Sequence, residues 1–229
     1  MHRIRKNSMP RHFTAWKKAF ISRNGRAPLY NDLYGTEEYY KIKQDLLQEQ
    51  GFVCCYCEKR INLNDCNIEH FMPRNPDRNV LTEEECDICR NAQLDYENLF
   101  ASCLGEKSGI SDHCNSHIGN WFDFRYCISP LSDQIEGIFG FRLNGKIFAV
   151  DNNPSAEQMK NHLHLDSYVL REQRKQSYYT VLELEFADVE LLDQDDYIAD
   201  TIGYYGEKDE NGKYTPFCSM ITYCLEHYL

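Results

Sequence analysis

Two cysteines separated by two residues are the clearest chemical signal in the sequence. Cys54 and Cys57 can place two thiolates on one tetrahedral metal ion from a single tight turn. The chain has 11 cysteines, which in a reducing compartment are better explained as metal ligands or buried thiols than as disulfides. A second pair must complete the site, and the spacing leaves two candidates open: Cys103 with Cys114, or Cys86 with Cys89.

An acid-histidine pair follows the first cysteine pair. Glu69 lies 12 residues after Cys57, and His70 follows it directly. A carboxylate binds hard divalent cations through oxygen, and an imidazole with a near-neutral pKa can take a proton from water. Neighbouring side chains diverge where a strand passes into a loop, so we expect Glu69 to face a cation and His70 to face a water molecule.

Two asparagines extend this set in a fixed order. Asn98 follows His70 by 28 residues, and Asn115 directly follows Cys114 at the start of a predicted helix. The order Cys-x-x-Cys, acid-His, Asn-Leu, Cys…Cys-Asn resembles the zinc-stapled branch of the HNH (ββα-metal) endonucleases. In that family two β-strands and a helix enclose a divalent cation.

The resemblance implies a role for each residue. It favours Cys103/Cys114 over Cys86/Cys89 as the second zinc pair, so that the structural zinc ligands are Cys54, Cys57, Cys103 and Cys114. It implies that Glu69 and Asn115 bind a catalytic Mg²⁺ or similar cation, that His70 is the general base, and that Asn98 braces the loop carrying the base. The implied reaction is one-metal phosphodiester hydrolysis, in which the cation neutralises charge on the leaving 3′ oxygen.

The sequence departs from the family pattern in two places and offers an alternative cation ligand. Ten residues separate Cys103 from Cys114, whereas the family spaces this pair closely, and Ile118 stands where a lysine is common. His113 and His117 are spaced i, i+4, so His117, or His113, is an alternative to Asn115 as the cation ligand. If the resemblance holds, Cys86 and Cys89 are either buried thiols or a second small metal site.

A narrower resemblance covers almost the whole chain. The N-terminal residues 1–16, the Ile-Glu-His-Phe-x-Pro-Arg-Asn sequence at 68–75 and the Tyr-x-Asn-Leu-Phe-Ala-Ser-Cys sequence at 96–103 resemble Septu-type anti-phage defence nucleases (the PtuB type, also found beside retrons). This family implies an ABC/SMC-like ATPase subunit as partner. Some such systems add a reverse transcriptase and its DNA–RNA product.

The charge distribution bears on the nucleic-acid substrate. The net charge is −11, yet residues 1–28 contain eight Lys and Arg and no acid. A basic segment on an acidic body predicts that much of the phosphate contact comes from a metal ion or from another subunit. The sequence shows no 18-residue apolar run and no signal peptide, so we expect a cytoplasmic protein without membrane contact.

Periodicity predicts an α+β chain that is mainly helical, with a zinc-stapled ββα-metal module and a β-hairpin. Helices are predicted around 16–20 and 37–50, over 154–186 and over 187–200 and 216–229, and strands on either side of the Cys54–Cys57 turn. Asn144-Gly145 predicts a hairpin with a type I′ turn over 140–150. We divide the chain into a helical basic segment (1–50), the nuclease module (51–125) and a partner-binding region (126–229).

Two other functions remain open from the sequence. The first is a non-catalytic zinc module that recognises nucleic acid or protein, which has no need of Glu69, His70 or Asn98. The second is a toxin that acts alone, which the acidic body and the long C-terminal region disfavour. Among nuclease substrates DNA is favoured and RNA such as tRNA is the alternative, because a metal at a phosphate does not read the sugar.

Overall fold

The computed structural model describes residues 1–105, 113–186 and 194–229, and these residues form helices and two small antiparallel sheets, as the α+β prediction requires. The helices are α1 (Arg11–Asn24), α2 (Tyr30–Leu33), α3 (Glu37–Glu49), α4 (Glu83–Asn91), α5 (Asn115–Ile118), α6 (Pro154–His162), α7 (Tyr168–Glu185), α8 (Gln194–Gly206) and α9 (Cys218–Tyr228). The strands are β1 (Cys66–His70), β2 (Leu99–Cys103), β3 (Phe139–Phe141) and β4 (Ile147–Ala149). Two 3₁₀ turns, Ala92–Leu94 and Tyr96–Asn98, precede β2.

Helix α3 lies where the sequence predicts it. The Thr36 hydroxyl caps its first turn by accepting a hydrogen bond from the Tyr39 amide at 3.2 Å. Ile42 and Leu46, spaced i, i+4, are completely buried, and α3 packs against α1 and β2. Each such side chain stabilises the fold by roughly 1.5–3 kcal/mol. The helix therefore packs against and supports the β1–β2 sheet that carries the candidate site.

The register of β1 and β2 brings distant parts of the sequence together. His70 pairs with Leu99 at one end of the ladder, and Cys66 pairs with Cys103 at the other. Asn98, one residue before β2, accepts a hydrogen bond through its carbonyl oxygen from the Phe71 amide at 3.0 Å. The ladder thus places His70 beside Asn98 at one end and Cys103 at the opposite end.

The strands predicted on either side of Cys54 and Cys57 do not form in the structure. Between residues 52 and 61 there is an isolated bridge from Val53 to Arg60. The turn takes up the residues between them, with the Cys54 amide bonded to the Lys59 carbonyl at 2.9 Å and Glu58 at φ +63°. Too few residues remain on each side of this turn to extend a ladder.

The predicted hairpin forms as β3–β4, but its turn differs from the type I′ prediction. Arg142 and Lys146 pair across a three-residue loop, and Gly145 alone in that loop has positive φ, +80°. This is a turn followed by a left-handed glycine, the common alternative for hairpins of this length. Glycine is required for a second reason, since a Cβ at 145 would lie 1.9 Å from the Arg171 carbonyl oxygen.

The helix predicted over 154–186 is two helices. His164 adopts φ +50°, and the Ser167 hydroxyl starts α7 by accepting a hydrogen bond from the Leu170 amide at 3.4 Å. Helix α8 begins at Gln194, so the predicted helix over 187–200 is supported for its second half, and residues 187–193 lie outside the described part. Helix α9 agrees with the prediction for 216–229.

The basic N-terminal segment is integrated into the fold. Phe13 of α1 is completely buried, and one continuous cluster of buried side chains includes members of all three segments into which the sequence was divided. The Lys6 ammonium donates hydrogen bonds to the carbonyl oxygens of Tyr96 and Leu99. Every helix within 1–105, 113–186 and 194–229 is too short or too polar to cross a membrane.

Candidate functional site

Four buried cysteines meet at the C-terminal end of β2. The sulfur atoms of Cys54, Cys57, Cys103 and Cys114 all lie within 4.8 Å of one another, and those of Cys57 and Cys103 are 3.7 Å apart. A tetrahedral zinc ion about 2.3 Å from each sulfur would hold the sulfurs about 3.8 Å apart. The set could therefore hold a zinc ion, and Cys103 with Cys114 is the second pair that the sequence left undecided.

The local backbone conformation places the cysteine sulfur atoms close to one another. The Cys54 turn brings two sulfurs to one side, and the Cys103 amide donates a hydrogen bond to the Cys54 sulfur at 3.3 Å. Cys114 adopts φ +57°, and its amide is bonded to the Leu163 carbonyl at 2.9 Å. Burial alone would raise the pKa of Cys54, but hydrogen bonds from Cys103 and Cys114 lower it well below its ordinary value. Burial instead raises the pKa of Cys57 and Cys114 well above the ordinary value, so these two thiols would give up their protons when a metal ion binds.

A buried cation lies near the sulfurs. The Arg174 side chain is 2% exposed, and its guanidinium donates a hydrogen bond to the Leu165 carbonyl at 2.7 Å. Burial lowers the pKa of Arg174, while the negative charges of Cys57 and Glu58 oppose that shift. Four thiolates around a dication carry about two net negative charges, and the single positive charge of the buried guanidinium offsets part of them.

An open cavity of about 420 Å³ lies at the C-terminal end of β1 and is lined by Glu69, His70 and Asn115. One Glu69 oxygen accepts a hydrogen bond from the Tyr56 hydroxyl at 3.4 Å, and the other accepts one from the Asn115 side-chain amide. Burial raises the pKa of Glu69 to about 8, and the Cys54 thiolate adds to this shift. A nearly buried carboxyl of this kind gains from a cation at its oxygens.

The surroundings of His70 select one form of its ring. Nε2 donates a hydrogen bond to the Gln93 carbonyl oxygen at 3.0 Å. Burial lowers the pKa of His70 to about 4, and the Tyr30 ring lies edge-on with centroids 4.4 Å apart. At neutral pH the ring is therefore uncharged with its proton on Nε2. This leaves Nδ1 as a proton acceptor, as a general base requires.

Asn98 connects the two segments that hold His70. Its side-chain oxygen accepts a hydrogen bond from the Met72 amide at 2.7 Å, and its amide group donates to the carbonyl oxygens of Met72 and Ala92, both at 3.1 Å. Met72 belongs to the loop after β1, and Ala92 precedes Gln93. The Asn98 side chain is 2% exposed and lies outside the lining of the cavity, so it positions other groups.

The histidines predicted as alternative ligands occupy other positions. His113 is buried, with Nδ1 3.3 Å from the Cys114 sulfur and 3.8 Å from the Cys103 sulfur. It precedes α5, so the two imidazoles do not share a helix face. The His117 ring packs against His164 with centroids 4.8 Å apart, outside the cavity lining.

Cys86 and Cys89 lie on α4, away from the four-cysteine cluster. Both are completely buried in a small apolar cluster with Leu81 and Phe122. Within the described residues, the four-cysteine set is the one group of three or more His, Cys, Asp or Glu side chains close enough to share an ion. The structure thus favours buried thiols over a second metal site at this pair.

Three residues at or beside the cavity were not singled out from the sequence: Arg74 and Tyr30, which line it, and Gln93, which contacts His70. Arg74 stacks over the Tyr30 ring at 4.5 Å and donates a hydrogen bond to the Asn31 side chain at 3.1 Å. Arg74 could have been noticed as a basic residue four positions after His70. Tyr30 and Gln93 carry no such signal, because the first comes from the distant α2 and the second acts through its backbone.

Comparison with protein-family models and with curated proteins found no match for this sequence. The function is therefore inferred from the geometry of the site. That geometry combines a neutral imidazole, a buried carboxyl group and a side-chain amide in one open cavity, and the residue that supplies the amide, Asn115, directly follows Cys114 of the four-cysteine cluster. A base, hard oxygen ligands and a rigid support are the parts that metal-assisted hydrolysis needs.

Proposed function

We propose that the chain is a metal-dependent HNH endonuclease that hydrolyses phosphodiester bonds, with a ββα-metal site formed by β1, β2 and α5. The observation that carries the proposal is the hydrogen bond between Asn115 and Glu69, next to His70 in the cavity wall. These residues are 46 positions apart in sequence and have no need to meet in a plain zinc-binding module.

The donor set fits the catalytic cation that the proposal requires. Glu69 offers two carboxylate oxygens, and Asn115 offers an amide oxygen once its side chain turns by half a rotation, a change that the amide's shape allows. The carboxyl group is 9% exposed and accepts hydrogen bonds from two neutral donors. When bound, a dication such as Mg²⁺ supplies neutralisation of the charge that develops on the phosphate and the leaving 3′ oxygen.

The chain's own residues supply the base and its support. Nδ1 of His70 accepts the proton of a water molecule that attacks the phosphorus in line with the leaving oxygen. The Gln93 carbonyl keeps the proton on Nε2, so that Nδ1 is ready to accept another. Asn98 binds both the loop after His70 and the turn before Gln93. These bonds keep the His70 ring at hydrogen-bonding distance from the Gln93 carbonyl oxygen.

The defence role and its ATPase partner are part of the same proposal, and they rest on the Septu-type resemblance. The C-terminal region offers exposed aromatic surface for such a partner. Tyr168 is 74% exposed and Tyr204 is 66% exposed, whereas Tyr178 and Tyr205 are buried and serve the core. Exposed tyrosines are favoured at interfaces between proteins. Co-purification with an ABC/SMC-like ATPase, reduced by Tyr168→Ala with Tyr204→Ala, tests this part.

The nuclease assignment is tested by comparing wild type with His70→Ala on double-stranded DNA, single-stranded DNA and tRNA, for the chain alone and with an ATPase partner. Loss of the base should lower the cleavage rate roughly 10²- to 10⁴-fold while zinc content is unchanged. His227→Ala, in an exposed histidine on α9, is the matched control. Magnesium should be omitted instead of chelated, because a chelator would also remove zinc. Undiminished cleavage by His70→Ala would contradict the assignment.

A further inference from the structure

The cavity beside His70 has a second half that hydrolysis does not use. Beyond Glu69, His70 and Asn115, its lining includes three tyrosines, one arginine and four further asparagines: Tyr30, Tyr34, Tyr39, Arg74, Asn31, Asn67, Asn75 and Asn120. A phosphate needs cationic or backbone N–H donors, and in this lining Arg74 is the only lysine or arginine. The aromatic and amide groups therefore point to a ligand with a planar face and hydrogen-bonding edges.

Tyr34 is the accessible aromatic surface in this lining. Tyr34 is 65% exposed, whereas Tyr30 and Tyr39 are each 4% exposed and belong to the core. Tyr39 meets the Tyr34 ring edge-on with centroids 5.2 Å apart, and Tyr30 supports it at 6.3 Å. Tyr34 is thus an exposed aromatic residue in contact with two buried rings, and exposed aromatic rings are the surfaces on which single-stranded bases stack.

The polar groups suit the rest of a nucleotide. The side chains of Asn31, Asn67, Asn75 and Asn120 are exposed, and each amide offers both donors and acceptors for a base edge. The Arg74 guanidinium uses one donor on Asn31 and stacks on Tyr30, which holds its planar fork for a phosphate. A base within a duplex has both faces stacked and its pairing edge occupied, so it cannot stack on Tyr34 or offer its pairing edge to these amides.

We propose that this half of the cavity binds one unpaired nucleotide, with its base stacked on Tyr34 and its phosphate on Arg74, so that the protein acts on single-stranded segments of nucleic acid. This inference rests on the proposed nuclease function for the position of the scissile bond beside His70. DNA and RNA share this chemistry, and a direct comparison of the two strands distinguishes them.

The test is binding of short labelled oligonucleotides to zinc-loaded His70→Ala protein without added magnesium, measured by fluorescence anisotropy. The oligonucleotides are of equal length: single-stranded DNA, single-stranded RNA, duplex DNA and an abasic strand that keeps the phosphates. We expect a single strand to bind more tightly than the duplex and the abasic strand. Tyr34→Ala should weaken that binding roughly 5- to 150-fold, the cost of one lost base stack, and Tyr34→Phe should stay within about twofold.

A matched control and one further variant complete the test. The control, Tyr40→Ala, removes a neighbouring tyrosine that is 50% exposed and lies outside the cavity lining, and it should bind like the parent. Arg74→Gln should weaken binding of the abasic strand as well, whereas Tyr34→Ala should not. Duplex binding as tight as that of a single strand, or equal binding by the Tyr34→Ala and Tyr40→Ala proteins, would overturn the inference.

The outcome is separable from that of the nuclease proposal. If the binding pattern holds and the wild-type chain cuts no substrate with magnesium, with or without its partner, the nucleotide site stands and the nuclease assignment fails. If the wild type cuts duplex DNA and Tyr34→Ala changes neither cleavage nor binding, the nuclease assignment stands and the unpaired-nucleotide site fails.

Discussion

The carbonyl oxygen of Gln93 lies 3.0 Å from Nε2 of His70 and determines which ring nitrogen carries the proton. A carbonyl oxygen can only accept, so Nε2 must donate and Nδ1 must be the acceptor when the ring is neutral. A backbone atom thus prepares the imidazole for proton transfer.

The first prediction concerns the titration of His70. Burial lowers its pKa to about 4 from the ordinary 6.5, so the folded protein should keep a neutral His70 ring down to about pH 4. In nitrogen-15 NMR, Nε2 should appear protonated and Nδ1 unprotonated across pH 5–8. The unfolded chain binds the extra proton first, so the contribution of His70 to stability is complete above about pH 6.5 and is lost as pH falls toward 4. A His70 resonance that titrates near pH 6.5 would contradict this.

The second prediction separates the cysteines by role. Cys54→Ser removes a ligand from the four-thiol cluster, so zinc measured by mass spectrometry should fall from about one per chain to near zero, with a large loss of thermal stability. Cys86→Ala changes a thiol that is equally buried, in the apolar cluster on α4. That variant should keep its zinc and lose roughly 1–2 kcal/mol of unfolding free energy. Loss of zinc from Cys86→Ala would show that the ligands are assigned wrongly.

The third prediction concerns the Asn98 brace. Asn98→Ala removes three hydrogen bonds of a buried side chain and leaves the Met72 amide and carbonyl without these partners, whereas the Ala92 carbonyl keeps its bond to the Asp95 amide. The variant should lose roughly 1–3 kcal/mol in urea denaturation. Under the proposed nuclease function, cleavage should also slow because the loop after His70 loosens. Asn91→Ala, at an exposed position on α4, is the control and should stay within about 0.5 kcal/mol of wild type. Asn98→Ala with wild-type stability would mean that the brace carries little energy.

The fourth prediction concerns the basic N-terminal segment. Lys6 donates to the Tyr96 and Leu99 carbonyl oxygens, and burial lowers its pKa to about 8. Lys6→Met keeps the aliphatic stem but leaves both carbonyls without this donor, so we expect a loss of roughly 1–3 kcal/mol. The exposed Lys18→Met on α1 is the matched control and should change stability by less than about 0.5 kcal/mol. Equal stability of the two variants would indicate that the basic N-terminal segment is a solvent-exposed arm that contributes little to the fold.

The sequence by itself determined the local features of the site. Two cysteines two residues apart need one turn, an acid-histidine pair at the end of an apolar stretch needs one strand, and α3 follows from the spacing of Tyr39, Ile42 and Leu46. The hairpin around Gly145 was also predictable, although its turn type was not, since the contact with the Arg171 carbonyl comes from a distant helix. In each case the interactions that decide the structure join residues close in the chain.

Tertiary structure alone decided which distant residues meet. The choice of Cys103 and Cys114 over Cys86 and Cys89 depends on the β1–β2 register and on the path of the chain to α5, and spacing in the sequence contains neither. The contact of the Gln93 carbonyl with His70 spans 23 residues, and the cavity that joins Tyr34 to His70 depends on where α2 lies against β1. Such contacts depend on how the elements pack in three dimensions, whereas sequence periodicity reports only which side of each element is apolar.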